Sequence, residues 1–278
     1  MIDGVNETQE CRVYEEDDWY TLIEYVTFLK HRAAYDFALE RAVGLQLLDF
    51  GCGSGYGASL LAGAAATVDA VDASAPAIAH CQSHYQIPNL TFHKIEPDTT
   101  LAFDDNSFDL IISFQVIEHM PDVQAYLKLL NRVLRPGGTL LITTPNRAHR
   151  LRPFQMNWQP AHFREYSDVS LQKELAPIYP DAELLGIYGT DEVNQIYYNH
   201  YHQSLFQAYV KVPMKIYGQK LFGKNSYARL RDSLGLGRKI PATPLSAAQL
   251  AQFTTEDIFI ADDLVTAQDF MAICRKPE

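Results

Sequence analysis

Cysteine is scarce in this chain of 278 residues: Cys11, Cys52, Cys81 and Cys274 are all it has, and none are paired at metal-ligand spacing. That leaves no disulfide framework or cysteine-rich metal site to read, and it points to a reducing, cytoplasmic compartment. Long apolar runs are missing too, so no integral membrane segment is expected. The opening stretch MIDGVNETQECRVYEEDDWY is polar and acidic, unlike a secretory signal. Positive charge is also short: 23 lysines and arginines against 34 aspartates and glutamates give a formal net charge of −11. A general nucleic-acid binder would normally present a basic face, so no nucleic-acid partner is expected. Two local basic groups, Arg147/Arg150/Arg152 and Lys211/Lys215/Lys220/Lys224, read as solvated faces. There is no P-loop lysine pattern, no internal repeat and no low-complexity tract. What the chain does have is core material: 47% of its residues are hydrophobic, enough for one large domain or a domain with a sizeable insertion.

Between residues 45 and 146, strand-like and helix-like stretches alternate. LQLLDF (45–50), ATVDAVDAS (66–74), LTFHKIE (90–96), FDLIISFQV (108–116) and TLLITTPN (139–146) read as strands. GASLLAGAA (57–65), APAIAHCQSHY (75–85) and VQAYLKLLNRVL (123–134) read as helices, the last stopped by RPGG. Such alternation implies right-handed crossovers and a parallel sheet covered on both faces. AELLGIYG (182–189) and DFMAICRK (269–276) complete an expected seven-stranded, mostly parallel α/β sheet of Rossmann-like form. Residues 18–43 read as a helix, and the Tyr-, Gln- and Lys-rich stretch before the last strand as a helical insertion. The expected organisation is a helical N-terminal lid (1–44), a nucleotide-binding core (45–190), an insertion closing the acceptor pocket (191–264) and a last core strand (265–278). Both outer parts are aromatic: Trp19, Tyr20 and Tyr25 in one, Tyr197, Tyr198 and Tyr201 in the other.

In such a sheet the ligand sits beyond the carboxyl ends of the strands, and the first strand-to-helix turn is the place to look. That turn is LLDFGCGSGYGASLLA (47–62). Gly51, Gly53 and Gly55 permit tight backbone geometry and close ligand approach. Gly53, Gly55 and Ala58 also satisfy the dinucleotide pattern G-x-G-x-x-A, with Asp72 at a distance compatible with ribose binding. Charge separates the options. A pyrophosphate prefers a glycine turn free of nearby anions, whereas here Asp49 precedes the turn and Asp72 closes the next strand. Two carboxylates suit a ligand with ribose hydroxyls and cationic groups, such as a sulfonium bearing an amino-acid ammonium.

With these residues in place, the chain resembles the class I S-adenosylmethionine-dependent methyltransferases. LLDFGCGSGYG is similar to the family's first motif, with Asp49, Gly51, Gly53 and Gly55 in register. VDAVDAS resembles the second, ending in a ribose-binding acid at Asp72, with Ala73 beside it. LAFDDNSFDLIISFQVIEHM and LNRVLRPGGTLLITTPN resemble the segments through strands four and five. The resemblance covers residues 45–146 and implies S-adenosylmethionine as cofactor and S-adenosylhomocysteine as product. It also places Gln115 and the aromatic Tyr56 near the cofactor. Where many relatives carry GDA after strand three, this chain has EPD, so Asp98 is the candidate adenine contact, with Glu96 as alternative. HRAAYDFA, GYG, IEHM and HFREYSDVSL resemble a bacterial subgroup linked with glycan, lipopolysaccharide or natural-product modification, although its usual RY is Ala34-Tyr35 here.

The resemblance implies attack by an acceptor nucleophile on the sulfonium methyl, and a hydroxyl acceptor benefits from a base. His119 in IEHM and His162 in HFREY are the candidates, His162 foremost. Each has a plain alternative: His119 shaping its loop before Met120-Pro121, His162 bonding a backbone carbonyl, nearby Glu165 pairing with Arg164 or capping the next helix. Tyr56 either stacks near the cofactor or packs. Glu118-His119 is similar to a pair in metal-dependent quinone methyltransferases, but further ligands are not evident, and His200 and His202 would point to different helix faces. No metal is expected. The leading reading is O-methylation of a sugar, glycolipid precursor or secondary metabolite. The alternatives are C- or N-methylation of a quinone or amine and, from another class, a cofactor-binding protein without methyl transfer. Oligomeric state is not legible.

Overall fold

The computed structural model describes residues 19–278 apart from 97–100, 153, 156–160, 203–204, 206–208, 211, 224–225, 228, 230–232 and 234–242. Eight strands form one sheet: β1 (Gln46–Phe50), β2 (Thr67–Asp72), β3 (Leu90–Lys94), β4 (Phe108–Phe114), β5 (Leu134–Pro145), β6 (Glu183–Gly189), β7 (Ile258–Ala261) and β8 (Asp269–Arg275). Their order is β3-β2-β1-β4-β5-β8-β6-β7. Strands β1 to β5 pair in parallel, and β8 is antiparallel to both β5 and β6. The order reverses direction between β1 and β4, the point where a ligand crevice opens beyond the strand ends.

The sheet core alternates as the pleat demands. Leu47, Leu110, Ile112, Leu141 and Met271 join the cluster on one face. Their neighbours Leu48, Ile111, Leu140, Ile142 and Phe270 join the cluster on the other. Helices α1 (Leu22–Leu39), α2 (Tyr56–Leu61) and α3 (Ala75–His84) cover the first face; α4 (Val123–Val133) and α6 (Asp168–Leu175) cover the second. Between them in sequence lies the short α5 (Arg147–Arg150), capped by Asn146. Thr21, Ser74 and Asp122 cap α1, α3 and α4 through side-chain oxygens, each satisfying an otherwise orphaned helical N–H. The RPGG stretch ends α4 but lies inside β5 rather than between helix and sheet. Phe108 pairs with Leu134, but Leu110 pairs with Thr139, so β5 carries extra residues at an irregularity in the pairing, with Gly137 at φ +72°.

Two expectations need correcting. The sheet has eight strands, not seven, and the stretch 191–264 is not wholly helical. After α7 (Asp191–Tyr201), α8 (Val212–Phe222) and a helical turn at Ala247–Leu250, the chain adds β7, antiparallel to β6 from Gly186 to Gly189. Four residues, Ile258–Ala261, are too few to display a period, and this edge strand buries one of them. The N-terminal helix meets the insertion directly. Thr27 Oγ1 and the Tyr197 hydroxyl lie 2.8 Å apart, and Tyr25 donates to the Phe253 carbonyl at 3.2 Å. Among the described residues no helix is long and apolar enough to cross a membrane.

Candidate active site

The candidate site begins where β1 runs out. Gly51, Gly53 and Gly55 all take positive φ, +88°, +53° and +80°, a region L side chains rarely enter. The turn is anchored to β2: the Gly51 and Cys52 amides donate to the Val71 carbonyl at 2.8 and 3.1 Å. A Cβ on Gly51 would strike the Val116 side chain at 2.4 Å, whereas one on Gly53 would meet nothing within 4 Å. Gly53 therefore faces open space, and a ligand can reach its backbone.

Asp49 is buried at 1% exposure. The Tyr35 hydroxyl donates to its Oδ2 at 3.3 Å, and its Oδ1 has no hydrogen-bond partner. Burial pushes this carboxyl up to about 7; the Tyr35 bond works against that rise and the Asp72 charge adds to it. A buried carboxylate oxygen without a donor is costly, and a cationic ligand group would supply the missing partner. Asp72 serves two backbone amides: Gly53 N–H donates to Oδ2 at 2.9 Å and Ser74 N–H to Oδ1 at 2.7 Å. It thus clips the glycine turn to the β2 end, and each oxygen keeps a lone pair. Ala73 is exposed beside it.

The other cofactor candidates divide. Gln115 sits at φ +58°, its amide donating to the Thr143 carbonyl at 2.9 Å and its side chain reaching the Thr143 hydroxyl at 3.4 Å. Tyr56 packs its ring against Phe28 and Tyr35, centroids 5.7 and 5.2 Å away. Asp98 lies outside the described residues. Glu96 is exposed just past β3, paired with Lys94. Sequence reasoning missed Tyr35 as a site residue. Its ring occupies the space a Cβ on Gly57 would need, with carbons 2.0–2.4 Å from that position. Tyr35 and the GYG stretch were each noticed in the sequence; their interlock was not.

On the β4–β5 side the chain gathers a second group. His119 Nδ1 lies 3.2 Å from the Ala161 carbonyl, and His162 Nδ1 3.2 Å from Glu165 Oε1. Both partners are acceptors, so each ring donates from Nδ1, and the neutral ring carries its lone pair on Nε2. The rings meet edge to face with centroids 4.7 Å apart. Burial, and then the neighbouring His162, push His119 down to about 4. Glu118 is fully buried, with Oε2 accepting from the Thr144 hydroxyl at 2.9 Å and Oε1 without a partner. Burial pushes its carboxyl up to about 8, against the Thr144 bond and the Arg150 charge.

The ligand atoms of Glu118, His119 and His162 lie within 4.8 Å of one another. No metal was expected because further ligands to Glu118-His119 were not evident in the sequence; the fold delivers His162 beside them from 43 residues downstream. Two imidazoles and a carboxylate, each held from behind by a carbonyl, a carboxylate or a hydroxyl, form a donor set suited to a divalent cation. Glu165 bonds His162 and approaches Arg150 at 3.8 Å, rather than capping α6, which Ser167 caps. Arg164 pairs instead with Glu174 at 2.8 Å. Deeper in, Lys30 reaches Asp269 at 2.6 Å and stands 3.8 Å over the Tyr197 ring. This pair was also missed, though Lys30 stands between Val26 and Ala34 on the apolar face of α1, an incongruity visible in the sequence.

Comparison with known proteins bears on the family and the fold. Residues 48–142 match the family described as a methyltransferase domain. A probable S-adenosylmethionine-dependent methyltransferase of Mycolicibacterium smegmatis is 34% identical over 53% of this chain and 56% of its own length. One from Mycobacterium tuberculosis H37Rv is 33% identical over 60% of each chain, and a ubiquinone biosynthesis O-methyltransferase of Albidiferax ferrireducens is 29% identical over 51% and 60%. The chain thus spans little more than half the length of these relatives. In fold it is similar to an S-adenosylmethionine-dependent methyltransferase from Mesorhizobium loti (TM-score 0.52, 14% identity, 90% and 100% covered). It is equally similar to the [4+2]-cyclase SpnF (TM-score 0.52, 18% identity, 88% and 80% covered). At these identities the likeness is one of fold.

Proposed function

We propose that this chain, whose residues 48–142 match a methyltransferase domain family, is a class I S-adenosylmethionine-dependent methyltransferase that transfers a methyl group to an oxygen of a small-molecule acceptor. The acceptor class is a sugar, glycolipid precursor or secondary metabolite rather than nucleic acid, and the setting is the cytoplasm. The observation that carries the reading is Asp49: a buried carboxylate at the head of the glycine turn with one oxygen unpartnered. Such a group fits the cationic amino-acid end of S-adenosylmethionine. Asp72 would accept from the ribose hydroxyls with the lone pairs its backbone bonds leave, and Gly53 gives the ligand backbone access. Bound S-adenosylmethionine supplies a methyl group already activated by the sulfonium.

The chain's own part in the chemistry is to position the acceptor and take its proton. His162 is the assigned base. Its Nδ1–H is held by Glu165, which orients the ring and offsets the positive charge that protonation brings. His119, at the same edge, is the second candidate. Calorimetry should show S-adenosylhomocysteine binding in the micromolar range, about −8 kcal/mol. Binding of NAD in its place, with no response to S-adenosylhomocysteine, would overturn the reading.

The Glu118–His119–His162 cluster favours a second reading of the same step. A divalent cation there would bind the acceptor oxygen directly and lower its pKa, replacing the imidazole base. Elemental analysis after dialysis against manganese or zinc separates the two. One ion per chain, lost in Glu118→Gln, supports the cation; no retained ion returns the role to His162.

A further inference from the structure

Exposed apolar surface and positive charge coincide in one stretch of this otherwise acidic chain. From Val193 to Arg231 there is no aspartate or glutamate, while Lys211, Lys215, Lys220, Lys224, Arg229 and Arg231 give the stretch a formal charge of +6. The whole chain is −11, so all the other residues together carry −17. The same stretch holds more than half of the exposed large hydrophobic residues among those described, Leu205, Tyr209 and Phe222 included. On α8, Met214, Tyr217 and Leu221 are 58%, 56% and 75% exposed. Their spacing, three and then four residues, sets them on one helical face.

Apolar side chains concentrated in this way call for a cover. We propose that the α8 stretch docks this protein on an anionic lipid surface, lying in the plane of the interface. Three features choose that occupant. A helix of 11 residues is too short to cross a bilayer but long enough to lie along one. A sequence that intersperses lysines with apolar residues and tyrosines matches a headgroup region, where amines meet phosphates while stems and rings sit at the acyl boundary. A second copy of the chain fits poorly, since a two-fold contact would bring one +6 stretch against another. Nucleic acid would use the lysines but has no use for exposed Met214 and Leu221. The acidic remainder of the molecule is repelled by the same surface, so the charge asymmetry also sets which side faces the lipid.

The test uses the full chain, without cofactor, so that it stands or falls apart from the methyl-transfer reading. Sedimentation with vesicles of phosphatidylcholine and phosphatidylglycerol should pellet the protein on the order of tenfold better than phosphatidylcholine alone, and added salt should weaken the effect. Met214→Glu/Leu221→Glu should abolish pelleting while S-adenosylhomocysteine binding is kept. Should that variant misfold, Lys215→Glu/Lys220→Glu tests the charge term alone and should lose the anionic preference. Four results overturn the proposal: no pelleting with anionic vesicles, equal pelleting on neutral ones, pelleting unchanged in both variants, or a light-scattering mass that halves in the first variant with no lipid effect.

Discussion

On the β1–β2 side of the site, the proposed cofactor residues Asp49, Gly51, Gly53, Gly55 and Asp72 lie close together in the chain, and much of what they offer is backbone: three glycines at positive φ and amides clipped by Asp72. On the β4–β5 side, Glu118, His119, Thr144, Arg150, His162, Asp269 and Lys30 arrive from both ends of the chain and from the middle, and nearly all they offer is side chain. The first side depends on local spacing, so it survives wherever that spacing is kept. The second exists only after the sheet has closed.

If the two sides are separate in function, a mutation on one should leave the other's measurement alone. The largest expected effect is on the acceptor side. Losing a general base costs about 10²–10⁴-fold in rate, so His162→Ala should lower kcat by that factor with the true acceptor while S-adenosylhomocysteine affinity is unchanged. His119→Ala is the comparison, because its ring touches His162. Near-normal turnover of His162→Ala together with a collapse of His119→Ala would move the role to His119. Full activity in both would indicate an acceptor that needs no histidine base, such as an amine or a carbanion.

The reverse experiment strikes the cofactor side. On the proposed reading, Asp72→Ala removes charge-assisted bonds to a ribose, about 1.5–3 kcal/mol, or roughly ten- to a hundredfold in affinity. Asp72 also holds the Gly53 and Ser74 amides, so part of that loss comes through the turn itself. Asp72→Asn separates the parts, since its amide oxygen can still serve one backbone N–H. Calorimetry should rank affinity as wild type, then Asn, then Ala. Unchanged affinity in a folded Asp72→Ala protein would leave the acid with a structural role only.

The legibility of each side follows from how it is built. Asp49, Gly51, Gly53, Gly55 and Asp72 were readable because a parallel strand, a glycine turn and a strand-ending acid are short-range patterns. The strands of the sheet were readable for the same reason, from buried runs such as FDLIISFQV. β7 was not, because four edge residues carry no period. Tyr35 on Gly57, Lys30 on Asp269 and His162 beside Glu118 were not, because each joins residues far apart in the chain. Only their incongruities stood out in sequence, such as a lysine on an apolar helix face.

The smallest expected effect is on stability, and the two buried carboxyls share its sign. Glu118 ionises at about 8 in the folded protein against an ordinary 4.5, because burial outweighs the Thr144 bond and the Arg150 charge. Between those values the unfolded chain has lost the proton and the folded one keeps it, so stability falls as pH rises through that window. Asp49, up at about 7 against 3.8, acts in the same direction. Glu118→Gln keeps an acceptor for Thr144 and removes the titration. Its melting temperature should therefore decline less from pH 4.5 to 8 than that of the wild type, by several degrees if each kcal/mol is worth about 2–4 °C. A cationic ligand changes the balance on one side only. If S-adenosylhomocysteine binds as proposed, with its ammonium at Asp49, it favours the ionised form and should cancel the Asp49 share of the slope, leaving the Glu118 share in place. An identical slope in wild type and Glu118→Gln would show that this carboxyl is not the buried acid its surroundings imply. A slope that ligand abolishes entirely would show that the two sides of the crevice are coupled after all.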